Sequence, residues 1–422
     1  MYFYTLDNKL MISKNKIISY NNIKNLNVKE ICEKDICDFK GNIFALNKLD
    51  PRKSKRSFCV TNSNLLFIEN ESLNLLKNPK TSCENIPNWL TESIAKDRVT
   101  SLNTEYKSCL DILDSNFPIL CADKPIKINV VGLGDVGGTL ITGLRLLGEQ
   151  YIKQIGIYDK DINKMKRWKF ETNCILGPDA DKMYPEIVIC EEDNLFDCDM
   201  FVFCVSIGVP KVGNEKQDVR IAQLEGNAKV MKYYAKKARE NNFKGIFAVV
   251  SDPVDLLCKC AFEYSNTDDN GNFDLNGLAP EQIRGYGLGV MHARANYYAK
   301  DLAKEYSKEG RAFGPHGEGL IIANSIKNYD ENISDILTEK TKKANLDVRA
   351  IGFKPYIAPA LSSGTLSLLA TLKSEWNYST NFLGGVFFGC KNKLTKAGLK
   401  LETLDIPEVL FNKMCLTYNM LK

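Results

Sequence analysis

The segment Ile128-Asn-Val-Val-Gly132-Leu-Gly134-Asp135-Val136-Gly137-Gly138 constrains this chain more than any other. An apolar run, Ile126–Val131, leads straight into glycines spaced GxGxxG, and a helical stretch follows from Val136 to Leu147. Strand, glycine turn and helix in immediate succession open a βαβ unit. The grammar then repeats. Short apolar runs at Ile155–Tyr158, Ile187–Cys190, Met200–Val205 and Gly245–Val250 alternate with helical stretches. The clearest helix is Val219–Asn241, where Ile221, Leu224, Ala228, Val230, Met231 and Ala235 fall near one face. Such alternation predicts an α/β fold, a Rossmann-type doubly wound parallel sheet with helices on both faces. Ligands on such sheets bind beyond the carboxyl ends of the strands.

Within the glycine turn, Gly132 permits the tight bend, Gly134 lets backbone approach a pyrophosphate, and Gly137 lets helix and strand pack closely. Asp135 and Val136 complete the loop where the helix N-terminus faces phosphate charge. The second run ends in Tyr158-Asp159, and Asp159 lies 27 residues after Gly132. Its carboxylate suits the two hydroxyls of an adenosine ribose and repels a 2′-phosphate. The expected cofactor is therefore NAD, with NADP second because Lys160 adjoins the acid.

Composition narrows the rest. A length of 422 residues suggests two or three domains, and a net charge of +4 implies no nucleic-acid footprint. Two histidines cannot build a three-histidine zinc site, so no metal is expected, but one can serve as a catalytic base. The fourteen cysteines include no CxxC pair, and Cys204 and Cys390 sit inside apolar runs. They read as reduced, mostly buried thiols in a cytoplasmic protein. Neither a secretory leader nor a membrane span is expected from the start MYFYTLDNKLM or from any apolar run.

Three domains are expected: residues 1–124, an extension of unknown role; 125–270, the Rossmann domain; and 271–422, a mixed α+β substrate domain. The first is rich in Asn and Lys and poor in Gly. It shows a hairpin pattern around Asp7-Asn8 and two short helices, near Trp89–Ile94 and Leu110–Leu113. Its basic run Pro51–Arg56 is expected to be a solvated loop rather than a phosphate site. Glu263–Gly277 is polar and turn-rich, and is expected to form a surface hairpin rather than a calcium loop.

From about Ile126 onward the chain resembles the L-lactate/L-malate dehydrogenase family. Phe201–Pro210 resembles the strand entering the mobile active-site loop. Val250-Ser-Asp252-Pro253-Val254-Asp255 resembles the segment usually read as SNPVD. Ile283–Gly287 with Met291-His-Ala-Arg294 resembles the segment carrying an aspartate and an arginine three residues apart. Gly314-Pro-His316-Gly317-Glu318 resembles the catalytic histidine motif. The resemblance implies that His316 exchanges the hydroxyl proton of a 2-hydroxy acid. It also implies that Arg294 grips the substrate carboxylate and that Arg220, on the loop, polarises the carbonyl. A small carboxylate substrate and a homo-oligomer, dimer or tetramer, follow from the same resemblance.

Several positions depart from the pattern. Met291 stands where the family has the aspartate that orients the histidine. Asp252 replaces the expected asparagine. Lys211 stands where malate-type members have a substrate-reading arginine, and Ile357 where lactate-type members often have threonine. The lid Lys211–Val219 is about two residues longer than usual for the family, with Gly213 as a candidate hinge. Asp252 either pairs with His316 in place of the missing aspartate or faces a cationic group on the substrate. In the second case, Asp252→Asn should improve ordinary 2-oxo acids. Glu318 and His292 are weaker candidates for the missing partner. The leading expectation is an NAD-dependent dehydrogenase of altered substrate choice. The alternatives are a reductase of an amino- or imino-bearing acid and a catalytically weak NAD(H)-binding sensor or scaffold.

Overall fold

The computed structural model describes residues 1–36, 39–80, 86–113, 124–178, 182–207 and 219–422, without the side chains of 219–223. The apolar runs of the central region become β7 (Ile126–Val131), β8 (Ile152–Tyr158), β9 (Glu186–Ile189), β10 (Met200–Phe203), β11 (Ile246–Val249) and β12 (Ile283–Gly285). They are parallel, in the order β9-β8-β7-β10-β11-β12. That is the dinucleotide-binding order, with its crevice between β7 and β10, where the winding reverses. The connecting helices are α3 (Asp135–Leu147), α4 (Ile162–Asn173), α5 (Val219–Glu240) and α6 (Val254–Ser265).

Alternation along the strands divides the burial between two faces. Ile128 and Val130 pack with Leu140, Ile141 and Leu144 of α3. Val131, Phe201, Phe203 and Phe247 pack with Met231, Tyr234 and Leu257 of α5 and α6. Both faces are covered, which is why the runs are nearly continuous in apolar residues rather than alternating with polar ones.

After β12 come α7 (Leu288–Leu302), α8 (Tyr306–Glu309), the hairpin β13 (Arg311–Phe313) and β14 (Ile321–Ala323), and α9 (Glu331–Ala350). A π-helical turn, Pro359–Thr365, leads into α10 (Leu366–Leu372). The chain closes with β15 (Asn377–Leu383), β16 (Val386–Thr395), β17 (Gly398–Leu401) and α11 (Glu408–Met420). β15 joins β12 antiparallel, so one nine-stranded sheet runs through both the 125–270 and 271–422 segments.

The first segment forms its own six-stranded sheet, β3-β1-β2-β4-β6-β5. Its strands are β1 (Tyr2–Leu6), β2 (Lys9–Ser13), β3 (Lys29–Ile31), β4 (Ile43–Asn47), β5 (Ser57–Cys59) and β6 (Val99–Asn103). β1 and β2 are the hairpin, turning at Asp7 with φ 51°. α1 (Asn88–Ala95) and α2 (Cys109–Leu113) are the two short helices.

The basic run is not the solvated loop its composition suggests. Lys55 and Arg56 are each only 1% exposed. The Lys55 ammonium meets the fully buried Glu71 carboxylate and donates to the Phe382 carbonyl on β15 at 3.0 Å. Arg56 Nε donates to Glu281 at 2.8 Å. The run is the seam between the N-terminal sheet and the rest of the chain. A lysine and an arginine can be buried there because acids 16 and 225 residues away satisfy them. Those partners are invisible to local charge patterning. Beyond the end of α6 the 263–277 segment forms the expected surface hairpin, with Asp269–Asn272 exposed at its tip. Thr267 and Phe273 form an antiparallel bridge, and the Arg52 guanidinium lies 4.5 Å from the Phe273 ring centroid, so the segment braces the N-terminal sheet.

Candidate active site

The crevice at the switch point opens into a cavity of ≈ 540 Å³ lined by Gly134, Asp159, Asp252, Arg294 and His316, among others. Its coenzyme end follows from the glycine turn. Gly132 has φ +89°, and a Cβ there would meet Cys204 backbone at 2.7 Å, so no side chain fits between β7 and β10. A Cβ on Gly134 would meet nothing within 4 Å and would project into open space at the helix N-terminus. That is the cradle a pyrophosphate needs. Asp159 is fixed by the Leu133 N–H at 2.8 Å and the Asp161 N–H at 3.1 Å, with the Lys164 ammonium at 3.2 Å. Burial raises its pKa, but these donors outweigh it and hold the carboxyl below its usual range. The residues therefore fit a dinucleotide with free ribose hydroxyls.

At the other end, Asp252 leaves β11 just before α6, and His316 comes from the loop between β13 and β14. His316 Nδ1 stands 3.1 Å from Asp252 Oδ1, at ion-pair distance but not aligned as a hydrogen bond. A second acid, Asp255 on the first turn of α6, accepts the His316 backbone N–H at 2.8 Å and a hydroxyl hydrogen bond from Thr380 of β15. Burial raises the Asp255 pKa, and those two hydrogen bonds oppose the shift. Gly287 precedes α7, and a Cβ there would lie 2.7 Å from His316 Nδ1. Its lack of a side chain leaves the imidazole its place. Asn227 of α5, fully buried, accepts from the Ile207 N–H and donates to the Asp252 carbonyl, both at 2.7 Å.

Met291 is buried in the α7 core, and its sulfur accepts from Arg294 at 3.8 Å. Arg294 nevertheless lines the cavity with His316. His292 points elsewhere. It stacks on Tyr378 with centroids 4.1 Å apart and shares a hydrogen bond with the Tyr306 hydroxyl. Burial, with Arg311 and Lys391 nearby, lowers its pKa from 6.5 to about 4. The native state thus binds fewer protons than the unfolded chain between those values, so stability falls as pH drops through this window and levels off below it. His292→Phe should flatten that slope, by up to about 1.4 kcal/mol per pH unit, in thermal melts between the two pKa values. Glu318 turns outward to Lys342 at 2.9 Å, and Ile357 is 59% exposed. Lys211 and Gly213 lie outside the described residues, and Arg220 lies on α5 with its side chain outside them. Among the described residues, no group of three His, Cys, Asp or Glu side chains is placed to hold a metal.

Sequence reasoning passed over Asp255 and Asn227 as site residues. Asp255 was visible as the last residue of the Ser251–Asp255 motif, three positions after Asp252. Asn227 offered only its spacing from Arg220. Neither pattern discloses which backbone the side chain reaches.

A doubly wound sheet, an open glycine cradle and a histidine–carboxylate pair share one cavity, on the α/β fold that binds dinucleotides. Residues 126–274 match the family model described as the lactate/malate dehydrogenase, NAD binding domain. The chain is 30% identical over 213 residues to an L-lactate dehydrogenase of Mycoplasma genitalium, covering 48% of this chain and 60% of that protein. The chain thus spans less than two thirds of that relative's length. The minor L-lactate dehydrogenase of Enterococcus mundtii shares the fold at TM-score 0.58 and 18% identity, over 71% of this chain and 97% of that one. The lactate dehydrogenase of Eimeria maxima, solved with NADH and oxamate, gives 0.55 and 18%, over 71% and 92%.

Proposed function

We propose that the chain is an NAD-dependent dehydrogenase acting between a 2-hydroxy acid and its 2-oxo acid. The observation that carries the reading is the 3.1 Å approach of His316 to Asp252 in a cavity shared with Arg294 and the glycine cradle. NAD, when bound, supplies or accepts the hydride. His316 takes the hydroxyl proton of the alcohol, or returns it to the oxo group. Asp252 gives the imidazolium form a charge partner, the task of the aspartate that Met291 replaces. Asp255 holds the His316 backbone, and Gly287 leaves the imidazole its space. Arg294 binds the substrate carboxylate through its guanidinium fork. Arg220, from the first turn of α5, and Lys211, from the lid, are proposed to complete the substrate side. A cytoplasmic homo-oligomer, and domain boundaries near 124 and 270, belong to the same proposal. The approach of Asp252 to His316 favours a hydroxy acid over an amino- or imino-bearing substrate, because the carboxylate faces the imidazole that would take up the hydroxyl proton.

The test is NADH absorbance with the purified full chain and a panel of 2-oxo acids, with and without ammonia. Ammonia-independent oxidation of NADH by a 2-oxo acid supports the reading. Turnover only with ammonia moves the assignment to the amino-acid reaction. Tight NADH binding without turnover on any member favours a binding protein.

A further inference from the structure

Two charged residues from opposite walls of the coenzyme cleft meet over the glycine loop. Asp135 is the first residue of α3, at the end where backbone N–H groups face the cavity. Lys354 lies between α9 and the π-helical turn, and its Nζ stands 2.9 Å from Asp135 Oδ2. Both line the cavity, and the contact joins residues 219 apart in the chain.

The position of Asp135 raises an electrostatic problem. A carboxylate at a helix N-terminus is favourable by itself. This N-terminus, however, is also the cradle for a pyrophosphate, since the space against Gly134 is open. Two anions at one helix end repel each other unless a cation lies between them. Lys160 and Lys164 line the adenosine end of the cavity, and Lys164 is engaged with Asp159. Lys354 is the cation held at Asp135.

We propose that Lys354 is a coenzyme clasp. Asp135 stations its ammonium over the glycine loop, and the same ammonium then bridges Asp135 to the pyrophosphate of the bound dinucleotide. This ties the segment after α9 across the cleft. The proposal rests on the reading of the cavity as an NAD(H) site. It goes beyond that reading by adding a phosphate ligand from the C-terminal half, outside the glycine motif.

An exposed ion pair of this kind contributes little to stability, so both residues can be replaced without unfolding the chain. Calorimetric titration of NADH and of adenosine, which carries no phosphate, into the full chain and its variants tests the idea. Lys354→Met should weaken NADH by about tenfold or more, the scale of one charge-assisted phosphate contact, and leave adenosine unchanged. Asp135→Asn should tighten NADH. In the double variant, removal of the repelling carboxylate should recover part of the loss caused by Lys354→Met. Raising the salt concentration should weaken NADH more in the wild type than in Lys354→Met.

The proposal is overturned if Lys354→Met leaves NADH affinity intact. Equal weakening of NADH and adenosine overturns it too, because the segment then only packs against the site. If Asp135→Asn weakens NADH as much as Lys354→Met, the pair is structural and the clasp is wrong. A wild-type chain that binds adenosine but not NADH removes the coenzyme reading itself, a failure distinct from loss of the clasp alone.

Discussion

Asp252→Asn is expected to lower turnover by about 10⁴ while leaving NADH affinity within a few-fold of the wild type. In serine hydrolases, replacing the carboxylate that orients a catalytic histidine by its amide costs about that much. Here Asp252 Oδ1 is 3.1 Å from His316 Nδ1, and Met291 has left no other acid at the family's usual place. The amide keeps the shape but not the charge, so the imidazolium loses its partner at the moment it forms. His316→Asn should be at least as damaging, and the double variant little worse than either, because the two residues act as one unit. Rates measured under saturating NADH, with NADH affinity determined separately, separate this from a coenzyme defect. A rise in turnover on ordinary 2-oxo acids would reverse the assignment and point Asp252 at a cationic substrate group.

The second large effect is on stability. Lys55→Met is expected to destabilise the protein by about 3–5 kcal/mol, since it strands the Glu71 carboxylate with no exposure to solvent. Glu71 accepts both the Lys55 backbone N–H, at 2.8 Å, and its ammonium, so it cannot turn away without breaking the backbone contact. Burial already pushes the Glu71 pKa upward, and Lys55 is the main opposing influence. The double variant Lys55→Met/Glu71→Leu should recover most of the loss, because a buried pair is replaced by apolar volume rather than broken. Thermal melts read both changes. On the scale of ordinary domains, the single variant should lower Tm by roughly 10 °C. An unchanged Tm would mean that Glu71 finds another partner or takes up a proton without penalty. The same lysine donates to Phe382, two residues along β15 from the Thr380 that holds Asp255. The seam and the site therefore share a strand.

Much of the dinucleotide half was legible because its signals are local. Runs such as Ile126–Val131 are apolar throughout, as strands covered on both faces must be, and GxGxxG sits at the one junction where a side chain would collide with Cys204. The 1–124 segment was legible only in its smallest units, the hairpin at Asp7 and two helices, because these depend on near neighbours. Its sheet order was not, since β4 pairs with β2 and β6 in parallel through long connections. The run 51–56 was misread for the same reason. Charge in a window shows that a group must be solvated or paired, but not which.

The sequence alone determined the chemistry available: one glycine turn for a dinucleotide, one motif histidine, one arginine three residues after a missing aspartate. Those are properties of residue type and short spacing, which backbone geometry translates directly. Tertiary structure decided which carboxylate stands beside the histidine ring. Asp252 and His316 are 64 positions apart; the Gly314 N–H on the Gly389 carbonyl of β16 at 2.9 Å and the His316 N–H on Asp255 at 2.8 Å hold the β13–β14 loop beside the end of β11. It also decided that Asp255 anchors the histidine backbone, that Lys354 crosses to Asp135, and that Lys55 and Arg56 lie in a seam rather than in water. Each is a long-range pairing of polar groups. Its energy depends on burial and on a partner distant in the chain, and neither is written in any local stretch of residues.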